Sequence, residues 1–256
     1  MRSTCTLESH LTSLPQPALT ISHSFYSGGG GAAAPTGTQK SLNKIFDTYR
    51  TQPKESPDEL DIEATSALCE DLQINLGDIG ALVFFEVIQS PQIGVINRSD
   101  FVSALSDANC DSTTKICNHV LSLRSQLPSN PDLFKRVYNH SFQLLLEDRK
   151  KAIELEQAEE FWAVLFSPAG FDWNSVGRAG QPWKDWWVEF LKEKWGRAIN
   201  KDLWRQTLTF ARETQKDPSL GFWNEESSWP SVIDDFVEWA KKEKGAGGGG
   251  EAMDVE

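Results

Sequence analysis

The chain lacks paired cysteines, long apolar runs, a surplus of cations and, over its first 161 residues, any tryptophan. Each shortage excludes something. Its four cysteines, Cys5, Cys69, Cys110 and Cys117, contain no CxxC spacing, so neither a zinc site nor a disulfide framework is written into them. They read as reduced thiols of an intracellular protein. No stretch approaches the roughly 20 apolar residues that cross a bilayer. The N-terminus has no charged region followed by an apolar one, and Arg2 stands where myristoylation needs glycine. The expectation is a cytoplasmic and nuclear protein with no anchor of its own and no membrane partner. Lys and Arg number 25 against 37 Asp and Glu, a formal charge of −12. Nucleic-acid sites need clustered Lys and Arg, so a basic protein surface is the easier partner for this chain.

Catalytic templates are missing as well. His10 and His23 fall in a low-complexity leader, and His119 and His140 have no partner at ligand spacing. There is no HExxH, GxSxG, Walker loop or GxGxxG after a strand, and the GGGG runs lie in simple ends where they cannot cradle a phosphate. No cap or cationic cluster marks Cys69, Cys110 or Cys117 as a thiol of lowered pKa. The reading is therefore of a protein without catalytic residues, metal ligands or cofactor.

What is present is a helical domain between two simple ends. Residues 1–37 read as a disordered leader and 243–256 as its counterpart tail. Between them the apolar spacing is helical: Leu42, Ile45, Phe46 and Tyr49 share one face, and so do Ile79, Leu82 and Val83 with the run from Phe84 to Ile88. Asp111 is a candidate cap for a helix carrying Ile116, Val120 and Leu123, and Asn130 followed by Pro131 opens another. The count is about ten helices and no long strand, an all-α fold. All ten tryptophans lie between Trp162 and Trp239, which assigns a core of large aromatics to the C-terminal part. One domain over residues 38–242, in lobes of about 38–127 and 128–242, accounts for this pattern. A long connection at 167–183 interrupts the second lobe, and loops of such length are often functional or mobile.

The segment FFEVIQSPQIGVINRSDF reads as helix, loop, helix, and its loop fits an EF-hand frame counted from Gln89. Gly94 then takes the sixth position, Ile96 the eighth and Asp100 the twelfth. Positions one, three and five hold Gln89, Pro91 and Ile93, where calcium needs side-chain oxygens. A weaker, irregular unit runs from Phe46 through Asp61 to Leu72. The residues suggest a pair of calcium-free EF-hand-like units followed by a Trp-rich helical lobe. An ordinary helical hairpin, a calcium sensor or another helical interaction module stays open at this point.

Two C-terminal segments, residues 200–213 and 227–240, each place an acid beside tryptophans near a helix start. Asn200 is a good N-cap, and Pro230 suits an opening turn because the amide it lacks is unpaired there in any case. Asp202 and Asp234 complement the positive ends of the helix dipoles, worth about 0.3–1 kcal/mol each. By themselves the acids need no further explanation.

Together the EF-hand-like units, ANCDSTTKI (108–116), KDLW and SWPSVIDDFVEWA resemble the defective-in-cullin-neddylation proteins, over about residues 38–242. The resemblance implies a non-catalytic scaffold. Such proteins hold a cullin, through its C-terminal domain, and the conjugating enzyme charged with a ubiquitin-like modifier, and transfer to a cullin lysine proceeds with help from a RING subunit. The family's Asp-Ala-Asp cullin-binding patch falls on Asp202, Ser228 and Asp234, with serine in place of the middle alanine. Asp235, Glu225 and Glu226 extend the acidic field. A second site, an apolar pocket for the acetylated N-terminus of the conjugating enzyme, falls on Ile62, Leu68, Leu82, Phe84, Ile88, Ile96, Leu144 and Val164. Read without the resemblance, those eight residues are core.

Overall fold

A computed structural model describes residues 35–247 except 52, 53, 55, 148, 176–179, 225 and 227. The leader up to residue 34, the tail from residue 248, Cys5, His10, His23 and Glu225 lie outside the described residues. The element order is α1 (Gly37–Tyr49), β1 (Glu59–Leu60), α2 (Ile62–Asp71), α3 (Ile79–Val87), β2 (Ile96–Asn97), α4 (Arg98–Asp107), α5 (Thr113–Gln126) and α6 (Pro131–Leu145). There follow β3 (Ala152–Ile153), α7 (Leu155–Leu165), α8 (Trp183–Phe190), β4 (Ile199–Asn200), α9 (Lys201–Lys216) and α10 (Ser231–Lys244). The fold is helical, with two minimal antiparallel pairs among the described residues, β1 with β2 and β3 with β4.

Side-chain caps start most of these helices. Thr36 and Gln39 form a reciprocal capping box on α1, Asp61 caps α2 and Asp78 caps α3. Asn130 and Asn200 cap α6 and α9 as their sequence context indicates, accepting from Leu133 and Leu203 amides at 3.1 and 2.8 Å. The cap of α5 is Ser112 rather than Asp111. Asp111 instead pairs with Lys115 at 2.9 Å, one turn into the helix. α10 begins at Ser231 with Pro230 just before it and Asp234 in its first turn, as the sequence context indicates, and the Pro230 carbonyl accepts from the Ile233 amide.

The N-terminal half joins two helix–loop–helix units through β1 and β2. Leu60 lies opposite Ile96 and Glu59 opposite Asn97, so the apolar residue in the eighth loop position is the one that pairs across the units. Gly94 takes φ +78°, which L side chains avoid, and a Cβ there would meet Ile62 at 2.8 Å. Ser90, buried, turns its hydroxyl to the carbonyls of Gln92 and Val95. The loop is thus closed by a protein hydroxyl on carbonyls that face inward. Ile93, fifth in the loop frame counted from Gln89, presents an apolar side chain to solvent where calcium would need an oxygen ligand.

One cation ties this half together. The Arg98 guanidinium donates to Asp58, Asn43 and Asp47 and to the Pro57 carbonyl at 2.7–3.1 Å, and lies 4.4 Å from the Phe46 ring centre. It links α1, the segment before β1, and α4.

The C-terminal half is built on aromatics. Trp162, Trp173, Trp183, Trp187 and Trp204 are fully buried. Tyr138 stacks on Trp204 at 4.7 Å, and Trp162 stacks on the same indole at 5.3 Å. The connection at 167–183 is anchored in its first part. Trp173 buries its ring against Phe166, and its Nε1 donates to Thr214 at 2.8 Å. Gly170 packs so closely that a Cβ would come 2.3 Å from the Leu165 carbonyl.

Replacing Arg98 by Met should destabilise the protein by about 1–3 kcal/mol, since it strands carboxylates and carbonyls that share one donor. Arg98→Lys should recover only part of the loss because Lys lacks the planar fork. Thermal and urea unfolding of the two variants check both statements; equal stability of Arg98→Met and the parent would refute the role given to this side chain.

Candidate functional site

The start of α9 is held from both sides. β4 pairs with β3, setting Asn200 opposite Ala152 and Ile199 opposite Ile153, and Asn200 then caps the helix. Leu203, Trp204, Thr207, Leu208 and Ala211 are buried, so the face carrying Lys201 and Asp202 turns to solvent. Asp202 is exposed and has no ion-pair partner among the described residues.

On α10 the buried set is Val232, Ile233, Phe236, Val237, Trp239 and Ala240. Asp235 lies off that face and is exposed, whereas Asp234 is half-buried at its edge. The Trp223 indole N–H donates to Asp234 Oδ1 at 2.9 Å. Lys241, two turns further along α10, places its ammonium 4.2 Å from the Trp223 ring centre. The indole therefore sits between an acid and a cation of the same helix, and it fixes one oxygen of Asp234 while the other has no protein partner among the described residues. Ser228 is exposed on the segment leading into α10. Its neighbour Trp229 packs edge-on against Phe210 and Phe222, which holds that segment to α9.

The structure thus groups Ser228, Asp234 and Asp235 around the start of α10. Asp202 belongs to the neighbouring helix, linked to α10 through Phe210 and Phe236 at 5.7 Å, and no bond among the described residues joins Asp202 to the other three. Trp223 was not among the residues picked out from sequence. The signal was present in the GFWN stretch between the two helices, but a tryptophan in a Trp-rich segment reads as core until its N–H is seen to meet a carboxylate.

A model described as cullin binding matches residues 115–239, the segment that contains every acid of this surface. The defective in cullin neddylation protein 1 of Pyricularia oryzae is 34% identical over 231 residues, covering 87% of this chain and 82% of its own. The chain belongs to the defective-in-cullin-neddylation family. The corresponding protein of Cryptococcus neoformans var. neoformans is 31% identical, with 86% and 82% covered, and human DCN1-like protein 5 is 27% identical with 70% of each covered. Family membership agrees with the resemblance carried by KDLW and SWPSVIDDFVEWA.

The second set of residues is distributed differently from a lined pocket. Leu68, Leu82, Phe84, Ile88, Ile96 and Leu144 are buried, and Val164 on α7 is half-buried. Ile62, at the first position of α2, is 69% exposed, and Ile93 beside it is 45% exposed. Ile62 leans on Gly94, while the Ile93 amide donates to the Leu144 carbonyl at 3.4 Å. Of these residues and their neighbours, Ile62 and Ile93 face solvent, and Ile93 was not assigned to the site from sequence. Six of the eight residues are part of the buried core.

Cys69, Cys110 and Cys117 are free. Burial pushes the Cys69 thiol up to about 12 and, as the main cause, raises Cys110 too.

Trp223→Phe keeps the ring and deletes the N–H. Stability should fall by no more than about 1.5 kcal/mol, whereas binding to a cullin C-terminal domain should weaken by about tenfold, the equivalent of 1.4 kcal/mol. Calorimetric titration beside a thermal melt separates the two; unchanged affinity removes the positioning role.

Proposed function

We propose that this chain is a scaffold-type co-ligase that promotes transfer of a ubiquitin-like modifier from its conjugating enzyme to a cullin. The observation that carries the reading is the α9–α10 surface: in a protein of this family, Asp202, Asp234 and Asp235 are presented at helix starts, without ion-pair partners among the described residues, and one is oriented by an indole. Carboxylates so placed favour a basic partner twice over, through rapid steered encounter and through register on docking. The covalent step belongs to the conjugating enzyme and its RING subunit. Holding the reactants together is by itself worth about 7–11 kcal/mol in well-oriented systems, so such a protein needs no reactive group of its own.

Ser228 stands in the middle of the patch. Exposed in the free chain, its hydroxyl needs a partner once docking removes water. The conjugating enzyme is assigned to the Ile62 and Ile93 surface, with the surrounding core of Leu68, Ile88, Ile96 and Leu144 opening to admit an acetylated N-terminus. An acetylated amine is neutral and enters apolar surroundings, whereas a free ammonium carries a large desolvation cost. Acetylation then acts as a gate on assembly.

Asp202→Arg combined with Asp234→Arg should weaken cullin binding at least about 100-fold, or 2.7 kcal/mol, and remove stimulation in single-turnover transfer with purified conjugating enzyme. Full stimulation by that variant contradicts the assignment. Ser228→Ala should bind cullin as well as the parent or better. Ile62→Asp should lose stimulation with the acetylated conjugating enzyme while retaining cullin binding, and an unaltered rate would place the second partner elsewhere.

A further inference from the structure

The outer side of the α6–α9 pair carries a charge opposite to that of the chain. A cleft of about 560 Å³ runs between the two helices, lined by Lys135, Arg205, Arg212 and Lys216 with Glu213 as the single acid. In a chain with 37 acids and 25 bases, this gathering of four cations runs against composition. Two of them are already engaged. Lys216 pairs with Glu213 at 2.7 Å, and Arg212 donates to the Pro131 carbonyl while feeling Asp132 nearby. Lys135 and Arg205 are exposed and have no side-chain hydrogen bond or ion pair among the described residues. Like charges left unneutralised around one cleft raise its local potential and lower the cost of bringing an anion there.

The spacing selects the class of anion. Arg205, Arg212 and Lys216 are distributed over twelve residues of α9, about 16 Å at the helical rise, so they do not converge on one point as a phosphate site requires. That length matches about five residues of extended chain. A nucleic acid brings many phosphates against a strongly acidic protein and against Glu213 inside the cleft, which opposes it. Asn139, at the end of the cleft near Arg205, offers an amide to a peptide main chain.

We propose that the α6–α9 cleft is a second docking site, for an acidic peptide segment of a partner protein, with Lys135 and Arg205 as its free cations. It is independent of the acidic surface at the helix starts. The same helix α9 opens with Asp202 for a basic partner and continues with a basic stripe for an acidic one, so a partner or pair of partners bearing both signs is seated in one orientation only.

The test uses the full chain and a fluorescein-labelled hexaglutamate peptide, followed by anisotropy at about 0.15 M ionic strength, where exposed charges more than about 8 Å apart are screened. Saturable binding is expected, weakened at least about tenfold by Lys135→Glu with Arg205→Glu and left intact by Lys40→Glu with Lys44→Glu, two exposed lysines of α1 that undergo the same change of charge. Lys135→Gln with Arg205→Gln, a milder pair on the exposed surface, should weaken binding in the same direction with an unchanged melting temperature. Absence of saturable binding, or affinity unaltered in both cleft pairs, overturns the proposal. Displacement of the peptide by inorganic phosphate or by a short DNA duplex at lower concentration also overturns it, assigning the cleft to a phosphate ligand or a nucleic acid.

Discussion

The crossing of α6 and α9 is the constraint on which the C-terminal half depends. The Tyr138 hydroxyl donates to the Trp204 carbonyl at 2.8 Å, the Trp204 indole N–H donates back to the Tyr138 carbonyl at 2.9 Å, and the Trp162 N–H donates to the same Tyr138 hydroxyl at 3.0 Å. All three side chains are buried, and each group left unsatisfied there would cost about 1–3 kcal/mol. The exchange therefore admits one register of α6 on α9, with α7 locked against both. Burial of the Tyr138 ring also holds its hydroxyl well above the usual tyrosine range, so it acts only as a neutral hydrogen-bonding group. Everything outward-facing on α9 is aimed by this inner lock: the acid at its start and the cations along its outer side.

Charge is sorted along the chain in a way that the net figure hides. The acids of the recognition surface sit at helix starts, where dipole and solvent both favour them, and Trp223 removes one rotational freedom from Asp234. The cations Lys135, Arg205, Arg212 and Lys216 gather in the adjoining cleft. In the N-terminal half a cation is put to structural use instead, with Arg98 gathering Asp47 and Asp58. The result is a protein whose surface carries clusters of both signs. Burial raises the thiols of Cys69 and Cys110.

Much of this was legible in the residues, and the exceptions have physical causes. Helix number, the caps Asn130 and Asn200, and the aromatic C-terminal core follow from periodicity and local capping chemistry, which depend on neighbours in sequence. Ser112 rather than Asp111 caps α5 because both residues are competent, and Lys115 decides by attracting the carboxylate away. The eight residues of the proposed apolar site were recognisable as apolar. Which of them face water was not: Ile62 is exposed because it opens α2 beside Gly94, while Leu68, six positions on, points inward. Residues 167–175 carried no periodic pattern, and their order comes from Trp173 reaching Thr214, 41 residues away.

By itself the sequence determined the all-α class, the positions at which most helices begin and the family, because each of these is encoded in spacing or in a short motif. Tertiary structure alone decided that Trp223 orients Asp234, that Ile62 and Ile93 stay exposed and that four cations from two helices line one cleft. Those three facts depend on where separate segments come to rest. That is set by the packing of a buried aromatic core, and one-dimensional periodicity records which side of a helix is buried without recording what it is buried against.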